Sequence, residues 1–243
     1  MDVLSVTDLT VSFDGFKAVD NLSLRVGKDE LRCVIGPNGA GKTTLLDMIC
    51  GKTKPTQGSI KFKDLELTQL IEFQITRAGV GRKFQTPSTY EDLTVVENLE
   101  ISYPGKRNLL GSLFFKRTPE ITESIESVAQ QIFLKDALTV KAGQLSHGQK
   151  QWLEIGMLLM QEPELLLLDE PVAGMSARER EQTAEMLNGI SKGRSTVVIE
   201  HDMAFVRMIA HKVTVLHQGK LLAEGSMDQV QADERVIETY LGH

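Results

Sequence analysis

Only two cysteines stand in 243 residues, Cys33 and Cys50, both in apolar sequence and neither in CxxC or Cys/His spacing. This excludes a disulfide-stapled scaffold and a zinc site of the usual spacing, and it reads as two reduced core thiols of a reducing compartment. Long apolar runs are missing too. The richest, Met157–Met160 and Leu165–Leu168, are four residues each, far short of the roughly 20 that span a bilayer. There is no excess of positive charge: 27 Lys and Arg face 33 Asp and Glu, a net charge of −6 without a long basic stripe, which argues against a nucleic-acid partner. The opening MDVLSVTDLTVSFDG carries acids where a secretory signal carries basic residues, so export is not expected. No internal repeat or low-complexity tract occurs. With 41% hydrophobic and 25% charged residues, composition excludes wholesale disorder and predicts one large domain, or a core with a satellite lobe.

What is present is patterned. Residues 3–13 alternate apolar and polar positions, as do residues 18–26 through Ala18, Leu22, Leu24 and Val26, and both predict strands with one wet face. Leu31–Ile35 predicts another strand, followed by GPNGAGKT and a short helical run over 43–50 that Gly51 is placed to end. Pro55 and Gly58 break the chain before a strand at 60–62, and residues 90–160 read as helical around a loop at 103–120. Leu165–Leu168, wholly apolar and ending in Asp169, has the pattern of a strand buried on both faces of a parallel sheet. Residues 196–199 repeat it and end in Glu200 and His201. A helix-forming segment over 177–191 joins the two into a βαβ unit, and 213–216 adds a strand, so the fold class is α/β. Acidic and imidazole groups thus fall at strand carboxyl ends, the edge of such sheets where ligands bind.

Gly36–Thr43 matches the phosphate loop G-x-x-x-x-G-K-[ST] between a predicted strand and a predicted helix. Its glycines let backbone N–H groups approach phosphates, Lys42 reaches the β- and γ-phosphates, and Thr43 ligates Mg²⁺. Gly36, Pro37, Asn38, Gly39, Ala40, Gly41, Lys42, Thr43 and Thr44 form the expected nucleotide-binding set. In LLLLDE, Asp169 is placed to hold Mg²⁺ through its water shell and Glu170 to polarise the attacking water. A strand-terminal turn set by Pro171 explains that run equally well in isolation, and only the phosphate loop beside it favours the catalytic reading. In LSHGQ, Leu145–Gln149, Ser146 and Gln149 form an S-x-x-Q capping box for the helix that follows. A capped helix start with Gly148 beside it is also an anion site.

Ser146 stands 23 residues before Asp169, and with this spacing the chain resembles the ATP-binding cassette family, whose signature is LSGGQ-like. The resemblance covers essentially the whole chain. It implies a P-loop NTPase fold of cassette type: a RecA-like core, an antiparallel β subdomain and a helical subdomain. One nucleotide-binding domain over 1–243 is expected, with 1–85 and 161–243 as core and β lobe and 86–160 as the helical signature lobe. It further implies that Ser146, Gly148 and Gln149 meet the γ-phosphate of ATP held by an opposite cassette. Gln85, in KFQTP, falls at the glutamine that links the Mg²⁺ site to the helical lobe, so Thr43, Gln85 and Asp169 are the implied metal set. His201 falls at the switch histidine, which contacts the γ-phosphate, and the implied catalytic set is Glu170, His201, Gln85 and Lys42. Phe13 falls where an aromatic ring stacks on adenine, with Phe16 competing and core packing an open alternative for Phe13. One position departs from the family: Ser176 stands where a D-loop aspartate is usual.

ITRAGVGRKFQTP, LTVVENL, EPVAGMS and the ending ETYLGH look like importer cassettes for branched-chain amino acids and, more closely, for urea. This implies ATP and Mg²⁺, transmembrane permease subunits, a second homologous ATPase subunit (a heterodimer, or a homodimer in isolation) and, indirectly, a substrate-binding protein outside the membrane. The implied location is the cytoplasmic face of the inner membrane. Residues 105–117, with Lys106, Arg107, Lys116 and Arg117 around an apolar centre, suit anionic lipid or a membrane subunit, or form a solvated loop. A soluble cassette ATPase of metal-cluster assembly is the alternative.

Overall fold

Alternation in the first 27 residues produces a hairpin. β1 (Asp2–Phe13) pairs antiparallel with β2 (Phe16–Gly27), Phe13 facing Phe16 across Asp14 and Gly15. Both turn residues have positive φ, 49° and 89°, the pair of left-handed conformations that suits a two-residue hairpin. β4 (Gln57–Phe62) joins the other side of β1, and β5 (Leu65–Glu66) completes a four-stranded antiparallel sheet of order β2-β1-β4-β5. Its inward residues, among them Leu4, Val6, Leu9, Leu22, Leu24 and Ile60, are buried, while the outward ones are wet. The computed structural model describes residues 2–83, 89–104 and 117–241.

The second sheet has six strands in the order β10-β9-β3-β8-β7-β6. β3 (Leu31–Ile35), β7 (Leu165–Asp169) and β8 (Ser195–Ile199) are buried at every residue, and β3 pairs parallel to β8, as β8 does to β7. A strand covered on both faces has no wet side to alternate with, which is why LLLLD reads as a continuous apolar run. β9 (Lys212–His217) lies parallel to β3 and antiparallel to β10 (Lys220–Gly225). β6 (Val80–Lys83) and β10 have no period in sequence strong enough to announce them. α1 (Lys42–Ile49) follows β3, and Gly51 ends it with φ 85°.

By internal contacts the chain divides into Met1–Arg82, Glu164–Pro171 and Ile190–His243 as one unit, and Lys83–Pro163 with Val172–Gly189 as the other. The first also holds α2 (Glu72–Arg77). In the second, α3 (Val95–Ser102), α4 (Pro119–Gln131) and α5 (His147–Leu159) pack so closely that a Cβ at Gly156 would come within 2.5 Å of Ile132. The division differs from the expected lobes at 172–189. That segment carries α6 (Ala177–Ile190), and Trp152 of α5 donates its indole N–H to Thr183 at 2.8 Å, tying α6 to α5. α7 (Met203–Ile209), α8 (Met227–Gln231) and α9 (Glu234–Leu241) close the first unit. Among the described residues no helix is long and apolar enough to cross a membrane. Both cysteines are buried free thiols, and burial pushes the Cys33 thiol well above its usual range.

Arg32 is the second residue of β3 and is 1% exposed. Its guanidinium reaches Glu30 at 2.6 Å, the Thr214 hydroxyl at 2.8 Å, the Arg25 carbonyl at 2.6 Å, and Glu224. A buried cation is tolerable when every face of its fork has an acceptor. Arg32→Met leaves these acceptors facing apolar atoms, and urea unfolding should show a loss of about 3 kcal/mol.

Candidate active site

The phosphate-loop segment has the geometry its glycines predict. Gly36 has φ 151°, and a Cβ there would come within 2.2 Å of the Leu216 carbonyl. At Gly41, the N-cap of α1 with φ 97°, a Cβ would strike the Ala18 carbonyl at 2.5 Å. Asn38, Gly39 and Thr43 are exposed, Pro37, Lys42 and Thr44 half-buried, and Ala40 is buried. α1 has neither a side-chain cap nor an acid in its first turn, so its first N–H groups offer an anion an uncontested place. Lys42 Nζ donates to the carbonyls of Gly36 at 2.8 Å and Pro37 at 3.0 Å, curling over the loop. Burial lowers its pKa, and the charges of Glu170 and Asp169 pull it back up.

β7 and β8 bring the acidic end into line. Asp169 pairs with Ile199 in register, and the Glu170 N–H donates to the Ile199 carbonyl at 3.0 Å. Asp169 is buried, and neither carboxylate oxygen has a hydrogen-bond partner of good geometry. Desolvation raises its pKa, the nearby Thr43 hydroxyl and Arg82 guanidinium hold it down, and Glu170 and Asp47 raise it further. Glu170 has φ 46°, a left-handed backbone costing a non-glycine residue about 1 kcal/mol. His201 Nδ1 lies 3.4 Å from Glu170 Oε1. The imidazole is exposed, while Glu200 beneath it is buried and accepts the His201 N–H at 3.0 Å and the Asp202 N–H at 3.4 Å.

The structure therefore brings Lys42, Thr43, Asp169, Glu170 and His201 to one edge of one sheet. Gln85 lies outside the described residues, as do Lys106, Arg107 and Lys116. Arg117 pairs with Glu100 through two bonds of 2.8 Å, so that end of the basic segment has an acid of its own. Phe13 and Phe16 sit at the hairpin tip, 50% and 67% exposed. Core packing of Phe13 is excluded. Two orphaned buried carboxylate oxygens beside a hydroxyl suit a hard cation. Among the described residues no three His, Cys, Asp or Glu side chains gather as a metal site.

In the second unit, Ser146 is the N-cap of α5 and accepts the Gln149 N–H at 3.2 Å, while Gln149 Oε1 accepts the Ser146 N–H at 2.9 Å. The capping box is present as read. Two contributors were not visible in the sequence: Arg82, which meets Asp47 at 2.6 Å, and Glu179, which accepts the Ser146 hydroxyl from α6. Each acts across elements, and no local spacing marks it.

A family model described as ABC transporter matches residues 19–173. A second, described as branched-chain amino acid ATP-binding cassette transporter, matches residues 220–243. The chain is 36% identical to the high-affinity branched-chain amino acid transport ATP-binding protein LivG of Escherichia coli K12, covering 99% of this chain and 98% of the relative. It is 35% identical, over the same shares, to the BraF protein of the same description from Pseudomonas aeruginosa. Among solved structures, the ADP conformation of an ATP-binding cassette of an ABC transporter superposes with a TM-score of 0.88 at 32% identity, covering all of both chains.

An Asp raised by burial keeps its proton to higher pH in the folded chain than in the unfolded one. Stability therefore falls as pH rises from the ordinary Asp value through the raised one, and the cost persists at neutral pH. Asp169→Asn removes that cost. Without nucleotide at neutral pH the variant should melt about 2–4 °C above the parent by calorimetry, the shift for about 1 kcal/mol, and Mg²⁺ with ATP should reverse the order.

Proposed function

The chain belongs to the ATP-binding cassette transporter family, and on that premise we propose that it is the ATP-hydrolysing subunit of an importer for branched-chain amino acids. The carrying observation is the full-length likeness to cassettes of that description, extending to the C-terminal segment 220–243. It favours amino-acid cargo over urea, which rests on the resemblance of short segments. Cassettes of this family hydrolyse ATP, act with transmembrane permease subunits and work in pairs. In this reading 1–243 is one nucleotide-binding domain, peripheral to the cytoplasmic face of the inner membrane and paired with a second homologous cassette. A substrate-binding protein supplies the permease from the other side.

The phosphate loop and the start of α1 bind the β- and γ-phosphates, and Lys42 turns from its own carbonyls to them. Phe13, or Phe16 beside it, offers a ring face to the adenine. Thr43 and Asp169, with Gln85, would hold Mg²⁺, which neutralises charge on the phosphates. Glu170 accepts a proton from the attacking water, held by its left-handed backbone within reach of His201, and His201 steadies that water against the γ-phosphate. Ser146, Gly148 and Gln149 complete the opposite cassette's site, so ATP favours the paired state and hydrolysis releases it.

Glu170→Gln should leave nucleotide binding intact and abolish phosphate release, whereas Lys42→Ala should weaken binding itself; near-normal turnover in Glu170→Gln would refute its role as base. Cargo is decided by deleting the chromosomal copy and following labelled uptake. Leucine uptake should fall with urea uptake unchanged, and the opposite pattern would return the assignment to urea.

A further inference from the structure

Ser146 is already committed within its own chain. Its hydroxyl donates to Glu179 Oε1 at 3.1 Å. The other oxygen of that carboxylate accepts the backbone N–H and the hydroxyl of Ser176, at 2.9 and 2.8 Å. Ser176 Oγ in turn accepts the Glu179 N–H at 3.3 Å, so the two residues cap α6. One carboxylate thereby joins the signature serine to the serine that stands at the D-loop position. The bonds from Ser176, and after them the one from Ser146, hold Glu179 below the usual carboxylate range. It is ionised at neutral pH and can only accept.

Ser146 has one hydroxyl proton to give. Its oxygen takes the Gln149 N–H and its proton goes to Glu179, while a phosphate oxygen is likewise an acceptor, so the two compete for the same donor. The competition extends to electrostatics. α5 has no acid in its own first turn, and its amino end favours negative charge. Glu179 supplies that charge from α6, lying so close that a Cβ on Gly148 would meet Oε1 at 2.4 Å. Ser146 and Ser176 are exposed and Glu179 half-buried, so water can replace any one of these bonds.

Resting on the reading that the start of α5 receives the γ-phosphate held by an apposed cassette, we propose that Glu179 is a positioning residue that fills this place in the unpaired chain. Pairing on ATP then requires its carboxylate to release Ser146 and turn wholly to Ser176. Release does not strand it, because both Ser176 donors stay. The departure at 176 gains a physical reason: an aspartate there could not donate through its side chain and would set two carboxylates together.

The test uses the full chain carrying Glu170→Gln, so that ATP is held without turnover. Sedimentation velocity reads the ATP needed for half-maximal pairing, and a fluorescent ATP analogue reads binding at the phosphate loop of the single chain. Glu179→Gln should lower the ATP requirement at least about threefold and Glu179→Ala further, the lower end of what one hydrogen bond contributes, with analogue binding unchanged. Adding Ser146→Ala should shrink the gain, the coupling that lost helix capping alone would not produce. Equal midpoints, a gain undiminished on the Ser146→Ala background, or no pairing in any variant while analogue binding is intact would each overturn the role of Glu179 and leave the proposed function standing. Loss of analogue binding in the parent would instead strike at the proposed function.

Discussion

The parallel hydrogen-bond ladder that joins β3 to β8 and β8 to β7 places three distant pieces of chain at one edge. Register fixes the placement: Val34 pairs with Ile199, and Ile199 with Asp169. The phosphate-loop segment, the Asp169–Glu170 pair and the Glu200–His201 pair must then leave the sheet side by side. Slippage by one residue would turn every side chain of a fully buried strand to the opposite face, Arg32 with its four acceptors among them. The apolar ladder is thus what aims the polar site.

That edge holds groups a stable fold would avoid. Asp169 is buried with both oxygens unsatisfied, Lys42 is spent on its own loop's carbonyls, and Glu170 has a left-handed backbone. Together at one sheet edge, these three features mark a site shaped for a ligand rather than for stability. The second unit shows a related economy. Ser146 both caps α5 and presents a hydroxyl, and the negative charge at that helix start comes from another element, through Glu179.

Much of this was legible in the residues. Alternation announced β1 and β2, the run LLLLD a strand covered on both faces, and GPNGAGKT a strand-to-helix turn of left-handed glycines. The S-x-x-Q pattern gave the α5 capping box as it stands. Less legible were β6 and β10, short edge strands whose pairing, not their own period, makes them strands. The contact between α6 and α5 was not legible, because α6 lies in sequence between two core strands, yet Thr183 receives the indole N–H of Trp152. Phe13 ends an alternating strand, so its pattern could not tell a core ring from an exposed one; the two-residue turn at Asp14 and Gly15 sets it at the tip.

By itself the sequence determined the α/β class, the phosphate loop, the strand-terminal acids and the cassette resemblance, because each rests on periodicity or short spacing that a local stretch of chain carries. Only the tertiary structure decided that Lys42, Asp169, Glu170 and His201 share one edge, that Arg82 supports it, and that Glu179 holds Ser146 and Ser176 together. These depend on strand order, register and the approach of one helix to another. Hydrogen bonds across elements have no period in sequence, since their partners are chosen by packing and not by neighbourhood along the chain.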